Sequence, residues 1–124
     1  MMELFCSIGN DYDSFESIEF KSGALFYKAR GSLSSKTVTV SKEILTNLDT
    51  ILNNHKWHSF IDPSIEANPT PGERHYKTRE MFFLKVSHLS LEIKLFIDSI
   101  KEEAIQKLVN LFLSLFQELK KVVS

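Results

Sequence analysis

Apolar positions in residues 99–123 recur with helical spacing. Ile105, Leu108, Phe112, Phe116, Leu119 and Val123 follow one another every three or four residues, and Leu111, Leu115 and Val122 widen the stripe. Glu103, Lys107, Asn110, Ser114, Gln117 and Lys121 hold the opposite side. The pattern predicts an amphipathic helix of about six turns. Its apolar side must be covered by earlier parts of the chain. Ser99 with Glu102 predicts a capping box at its start, and Lys120 and Lys121 suit its C-terminal end.

Elsewhere the period is mostly two. Met2, Leu4, Cys6 and Ile8 alternate with Glu3, Phe5 and Ser7, which predicts a first strand ended by Gly9-Asn10-Asp11. A hairpin follows. With Ser22-Gly23 as a two-residue turn, Phe20 pairs with Leu25, Ile18 with Tyr27 and Glu16 with Ala29. Ile18, Phe20, Leu25, Tyr27 and Ala29 then share a face for burial, while Ser17, Glu19, Lys21, Phe26, Lys28 and Arg30 share the other. The β-branched run from Thr37 to Val40 predicts a fourth strand.

Ser41 stands at a helix N-cap, with Glu43 in the first turn. Ile44, Leu45, Leu48, Ile51 and Leu52 form a stripe that His55 continues, and this helix is expected to end near Asn54. Residues 56–61 are read as extended. Residues 62–75 hold Pro63, Pro69, Pro71 and Gly72 and are expected to be a long loop, either functional or a mobile connector.

The second hairpin runs through Leu89, Leu91, Ile93, Leu95 and Ile97. A turn at His88-Leu89 pairs Val86 with Leu91, Leu84 with Ile93 and Phe82 with Leu95, and sets Lys85 beside Glu92. A one-residue slip would destroy these agreements together. The expected order is ββββ-α-loop-ββ-α. It predicts an α+β fold in one domain over residues 1–124, with an antiparallel sheet of about six strands and two helices packed on one face.

The same parity generates a functional expectation. Two helices on one face leave the other face of the sheet open. Phe26, Met81, Phe83 and Phe96 fall there among Lys28, Arg30, Lys85 and Lys94. Exposed apolar patches rimmed by charge mark interaction surfaces. The competing expectation is that the loop, Trp57 or the start of the chain folds over that face. The candidate partner-binding residues are therefore Phe26, Lys28, Arg30, Met81, Phe83, Lys94 and Phe96, and the partner is another protein or a second copy of the chain.

Composition changes this picture little. The chain has 124 residues, 43% hydrophobic and 25% charged, with a formal net charge of -1, the profile of an ordinary globular domain. Acids come first (Glu3, Asp11, Asp13, Glu16, Glu19), followed by Lys21, Lys28, Arg30, Lys36 and Lys42, and these blocks are expected to face each other in the sheet. The single cysteine, Cys6, cannot form an internal disulfide, and the N-terminus lacks the basic and apolar regions of a secretory signal. No stretch reaches membrane-spanning length, and a cytoplasmic location is expected.

Motifs for catalysis are absent. There is no G-x-S-x-G, H-E-x-x-H or calcium-loop pattern, the glycines are too scattered to cradle phosphate, and Cys6 reads as a small buried hydrophobe. No cofactor and no catalytic residue is assigned. Two readings compete with protein binding. Aromatics and basic residues on an open sheet face also suit single-stranded nucleic acid, although the RNP-type motif is missing. His55 and His58, near Asp62, Glu66 and His75, would serve a small metal-dependent enzyme, but without diagnostic ligand spacing no metal site is assigned. The reading that stands first is a non-catalytic interaction domain of the inhibitor, adaptor or toxin-immunity kind, acting through the outer sheet face or the loop at 62–75.

Overall fold

The computed structural model of the chain describes residues 3–11, 13–54, 56–66 and 79–123. Strands β1 (Leu4–Asn10), β2 (Ser14–Lys21), β3 (Ala24–Lys28) and β4 (Lys36–Val38) precede helix α1 (Lys42–Asn54). Strand β5 (Phe60–Ile61) and a single helical turn, α2 (Pro63–Glu66), follow. Strands β6 (Met81–Val86) and β7 (Leu91–Phe96) lead to the closing helix α3 (Glu103–Val123). The fold is α+β: one sheet, in the order β4-β3-β2-β1-β6-β7-β5, with both long helices on one face.

The N-terminal strand lies at the centre. β1 pairs antiparallel with β2 on one side and with β6 on the other, so each hairpin extends the sheet outward from it. The short β5 adds a seventh strand, parallel to β7, within the segment expected to be extended. Both hairpin registers are as expected. Phe20 faces Leu25 and Ile18 faces Tyr27. Val86 faces Leu91, Leu84 faces Ile93, Phe82 faces Leu95, and Lys85 stands opposite Glu92.

Turn chemistry explains where the details depart. Ser22 and Gly23 both have positive φ, 51° and 76°, which matches the right-handed strand twist in a two-residue hairpin. The second hairpin has no glycine. A 3-10 turn over Ser87–Leu89, closed by Ser90 at φ 50°, makes the reversal. Leu89 therefore leaves the alternation and sits 40% exposed.

The expected capping box also fails. Ser99 lies in a separate 3-10 turn (Ile97–Ser99), Ile100 is extended, and the first turn of α3 is closed by the Gln106 N–H donating to the Glu102 carbonyl at 2.9 Å. Ile97 and Ile100 pack against the core, and this draws the chain past Ser99 before the helix starts. Ser41 does cap α1: its Oγ accepts from the Ile44 N–H at 3.4 Å. The fourth strand is shorter than expected, Lys36–Val38. Residues 63–66 of the proline loop are helical, and 67–75 lie outside the described residues.

The core lies between the sheet and the two helices. Leu4, Cys6, Ile8, Ile18, Leu25, Tyr27, Phe82, Leu84, Val86, Leu91, Ile93 and Leu95 supply the strand side. Leu48 and Leu52 meet them from α1, and Leu108, Phe112, Leu115, Phe116 and Leu119 from α3. Phe82 meets Phe112 at 5.8 Å between ring centroids, and Tyr27 meets Phe116 at 6.5 Å, both tilted by 58°. Such pairs add about 0.5–1.5 kcal/mol beyond area burial. Truncating the fully buried Phe112 to alanine is expected to cost about 3–5 kcal/mol, read as a lowered urea midpoint at unchanged slope.

Candidate functional site

The face of the sheet turned away from the helices is organised in rows that run across the strands. In the middle row Lys28 pairs with Ser17, Ser17 with Ser7, Ser7 with Phe83, Phe83 with Lys94, and Lys94 with Ile61 of β5. One flanking row runs Phe26, Glu19, Phe5, Lys85, Glu92. The other runs Phe15, Gly9, Met81, Phe96. Two serines thus form a low floor between aromatic walls.

The resulting groove, about 560 Å³, is lined by the middle row from Lys28 to Lys94 and by Phe5, Phe15, Met81 and Asp11. Phe5 and Phe83 meet at 6.0 Å between centroids, tilted by 58°. Among the described residues, neither Lys28 nor Lys94 has a carboxylate within ion-pair distance. Lys21 differs: it pairs with Glu19 at 3.2 Å and lies 5.5 Å from the Phe26 ring centre.

Gly9 permits the Phe15 wall. At φ +152° a Cβ on residue 9 would come within 2.2 Å of the Ser14 carbonyl oxygen, 2.7 Å of Phe15 Cα and 3.0 Å of the Phe15 ring. Only glycine lets the aromatic residue lie across the central strand here.

Lys28, Met81, Phe83 and Lys94, four of the seven expected interface residues, line this groove together. Phe26 is on the same face one row away, partly covered by Lys21. Phe96 has the expected parity but is 2% exposed, with the Arg79 guanidinium 4.0 Å over its ring. Arg79 is in turn held by Asp98 at 2.6 and 3.1 Å, and these hydrogen bonds keep the Asp98 carboxyl below the usual range. Phe96 is therefore a buried residue, not a docking one.

Arg30 does not belong to this face. β3 ends at Lys28, and a turn through Gly31 (φ 76°) releases Arg30 from strand parity. Its guanidinium binds Glu80 through two bonds of 2.9 and 2.6 Å, on the helix side of the sheet. Glu16, 6% exposed, lies 3.6 Å from the Arg30 Nε and accepts from the Tyr27 hydroxyl at 2.8 Å. Burial first, then the Glu16 bond and charge, push the Tyr27 phenol above its ordinary value. The fully buried Asn10 donates to Glu80 at 2.6 Å and accepts from the Asp13 N–H at 2.7 Å. These groups satisfy one another and tie the β1–β2 turn, β3 and β6 together.

Sequence reasoning put Ser17 on the outer face but named neither it nor Phe5, Ser7 or Phe15 as site residues. Parity within β1 places Phe5 and Ser7 opposite Leu4, Cys6 and Ile8. Phe15, two residues before Ser17, shares its parity on β2, and the structure adds that it lies across Gly9.

Of the possible metal ligands, His55 and His75 lie outside the described residues. Among the described residues no group of three or more His, Cys, Asp or Glu is placed to hold a metal ion. Likewise no described helix is long and apolar enough to cross a membrane. Comparison of the chain with protein-family models, with curated proteins and with solved structures finds no match.

Two measurements check this geometry. Gly9→Ala is expected to lower stability by about 2 kcal/mol or more, seen as a lower thermal midpoint, because the added methyl meets backbone atoms. Burial pushes the Cys6 thiol well above its ordinary value, so it stays protonated and shielded. An aromatic disulfide reagent should label it at the rate of unfolding, and labelling within the mixing time in native buffer would contradict the burial.

Proposed function

We propose that this protein is a non-catalytic interaction domain that binds a protein partner through the outer face of its sheet. The observation that carries the reading is the transverse groove. On the face turned away from α1 and α3, Phe5, Phe15, Met81 and Phe83 stand around two serines, with a lysine at each end that has no ion pair among the described residues. Apolar and aromatic residues at the centre of a patch with charge at its rim are the composition of protein interfaces. A cytoplasmic setting suits the single reduced cysteine and belongs to the same proposal.

Nucleic acid is the weaker use of this face. Lys28, Lys85 and Lys94, the lysines of this face without an ion pair among the described residues, would release about three counterions, giving a salt slope of about -2.1 for a single strand, too little to hold a backbone at physiological salt. Binding to protein instead draws on burial of the aromatic walls.

Phe83→Glu tests the proposal. Phe83 is only partly buried, so the fold should survive with a loss of about 1–2 kcal/mol, from the Phe5 ring pair and lost packing. Wild type immobilised in lysate of its source cells is expected to retain a stoichiometric protein that Phe83→Glu does not retain and Lys107→Glu, on the exposed side of α3, does. Equal retention by all three would refute an outer-face interface.

A further inference from the structure

We propose that the groove accepts an extended, acidic segment of the partner, running across the strands, with one carboxylate at Lys28, one at Lys94 and apolar side chains between. This rests on the interaction reading above and specifies the partner's chemistry. The argument begins with direction. The residues lining the groove are a register row, so its long axis is perpendicular to the strands. From Lys28 on β3 to Lys94 on β7 is four strand spacings, roughly 19 Å. An extended chain covers that in about six residues.

Width selects an extended segment over a helix. The walls at Phe5 and at Gly9 with Phe15 are four residues apart along β1 and β2, about 13–14 Å between backbones. Their side chains occupy much of this width. A helix with its side chains needs about 10–12 Å, so it would ride above the serine floor and leave it empty. An extended chain can reach Ser7 and Ser17, whose hydroxyls offer hydrogen bonds to its peptide groups.

Charge selects the acidic partner. Lys28 and Lys94 carry the two ends, and Asp11, at the tip of the β1–β2 hairpin, is the acid that lines the groove. Asp11 stands beyond the Phe15 row, where it discourages a third acid and confines the anionic groups to the two ends. A second copy fits poorly. Face-to-face packing about a two-fold axis parallel to the middle row sets Lys28 against Lys28. An axis perpendicular to the row sets Lys28 against Lys94. Either way like charges meet.

The test uses the intact protein, isotope-labelled for NMR, and capped synthetic peptides as probes. Glu-Gly-Leu-Phe-Leu-Gly-Glu has carboxylates six residues apart. Variants with spacings of three and nine, a lysine-ended counterpart and a thymidine oligonucleotide complete the set. The expected result is movement of the Ser7, Ser17 and Phe83 amides with the six-residue spacing, tighter than with the others. Lys28→Glu and Lys94→Glu should each weaken it roughly three- to tenfold, and Phe83→Glu should abolish it.

Equal binding of the lysine-ended peptide, or indifference to lysine reversal with Phe83→Glu still abolishing binding, would overturn the acidic segment and leave the interface standing. Shifts confined to other surfaces, or none with any peptide, would overturn the inference. Indifference to Phe83→Glu would remove the interface reading as well. Tighter binding of the oligonucleotide, or a dimer by sedimentation that Phe83→Glu dissolves, would each overturn it in favour of a different occupant.

Discussion

Almost everything in this molecule depends on the central strand β1 being paired on both sides while α1 and α3 cover only one of its faces. Its alternate residues Leu4, Cys6 and Ile8 lie in the core, and Phe5, Ser7 and Gly9 lie on the other face. Because pleated side chains alternate strictly, covering one row set by α1 and α3 leaves the second set to a different fate. The helices supply the apolar stripe that makes the inner row cohere. The outer row is then free to be chosen for something other than stability.

The inner row was readable from the chain itself because it follows from periodicity. Ile18 facing Tyr27 and Leu84 facing Ile93 are each forced by a run of apolar residues that must share one side. A slip of one residue would expose all of them, so the pattern carries its own register. The closing helix is similar, since a stripe from Leu108 to Leu119 has one way to face a sheet. The strand order was less legible. That β1 joins the two hairpins rests on pairing between residues about eighty positions apart, which leaves no local mark.

Where parity misled, a strand had ended or a side chain had gained a cover. Arg30 lies two residues past the end of β3, and its place was decided by Glu80 and Glu16. A buried carboxylate such as Glu16 needs a cation and a donor nearby, and Arg30 and Tyr27 were those within reach. Phe96 kept its side but was capped by Arg79, itself held by Asp98. Ser99, a plausible cap by sequence, became an acceptor for Arg79 at 2.5 Å while the helix began four residues later. In each instance a long-range partner outweighed a local preference.

The serines at the middle of the outer face bear on what that face is for. Ser7 and Ser17 are directly opposed on the two neighbouring strands, where β-branched or aromatic residues fill a pleated surface best. Their neighbours along and across the strands, Phe5, Phe15 and Phe83, show that the face tolerates large apolar groups. A larger residue at either position would gain cross-strand packing, worth up to about 1 kcal/mol, and would fill the groove. The chain forgoes that packing at the centre of its best-paired strands. At the same time Gly9 adopts a backbone conformation that keeps Phe15 as a wall. Local choices that run against stability, gathered in one place, are what the proposed partner-binding face requires and what a face serving stability alone does not.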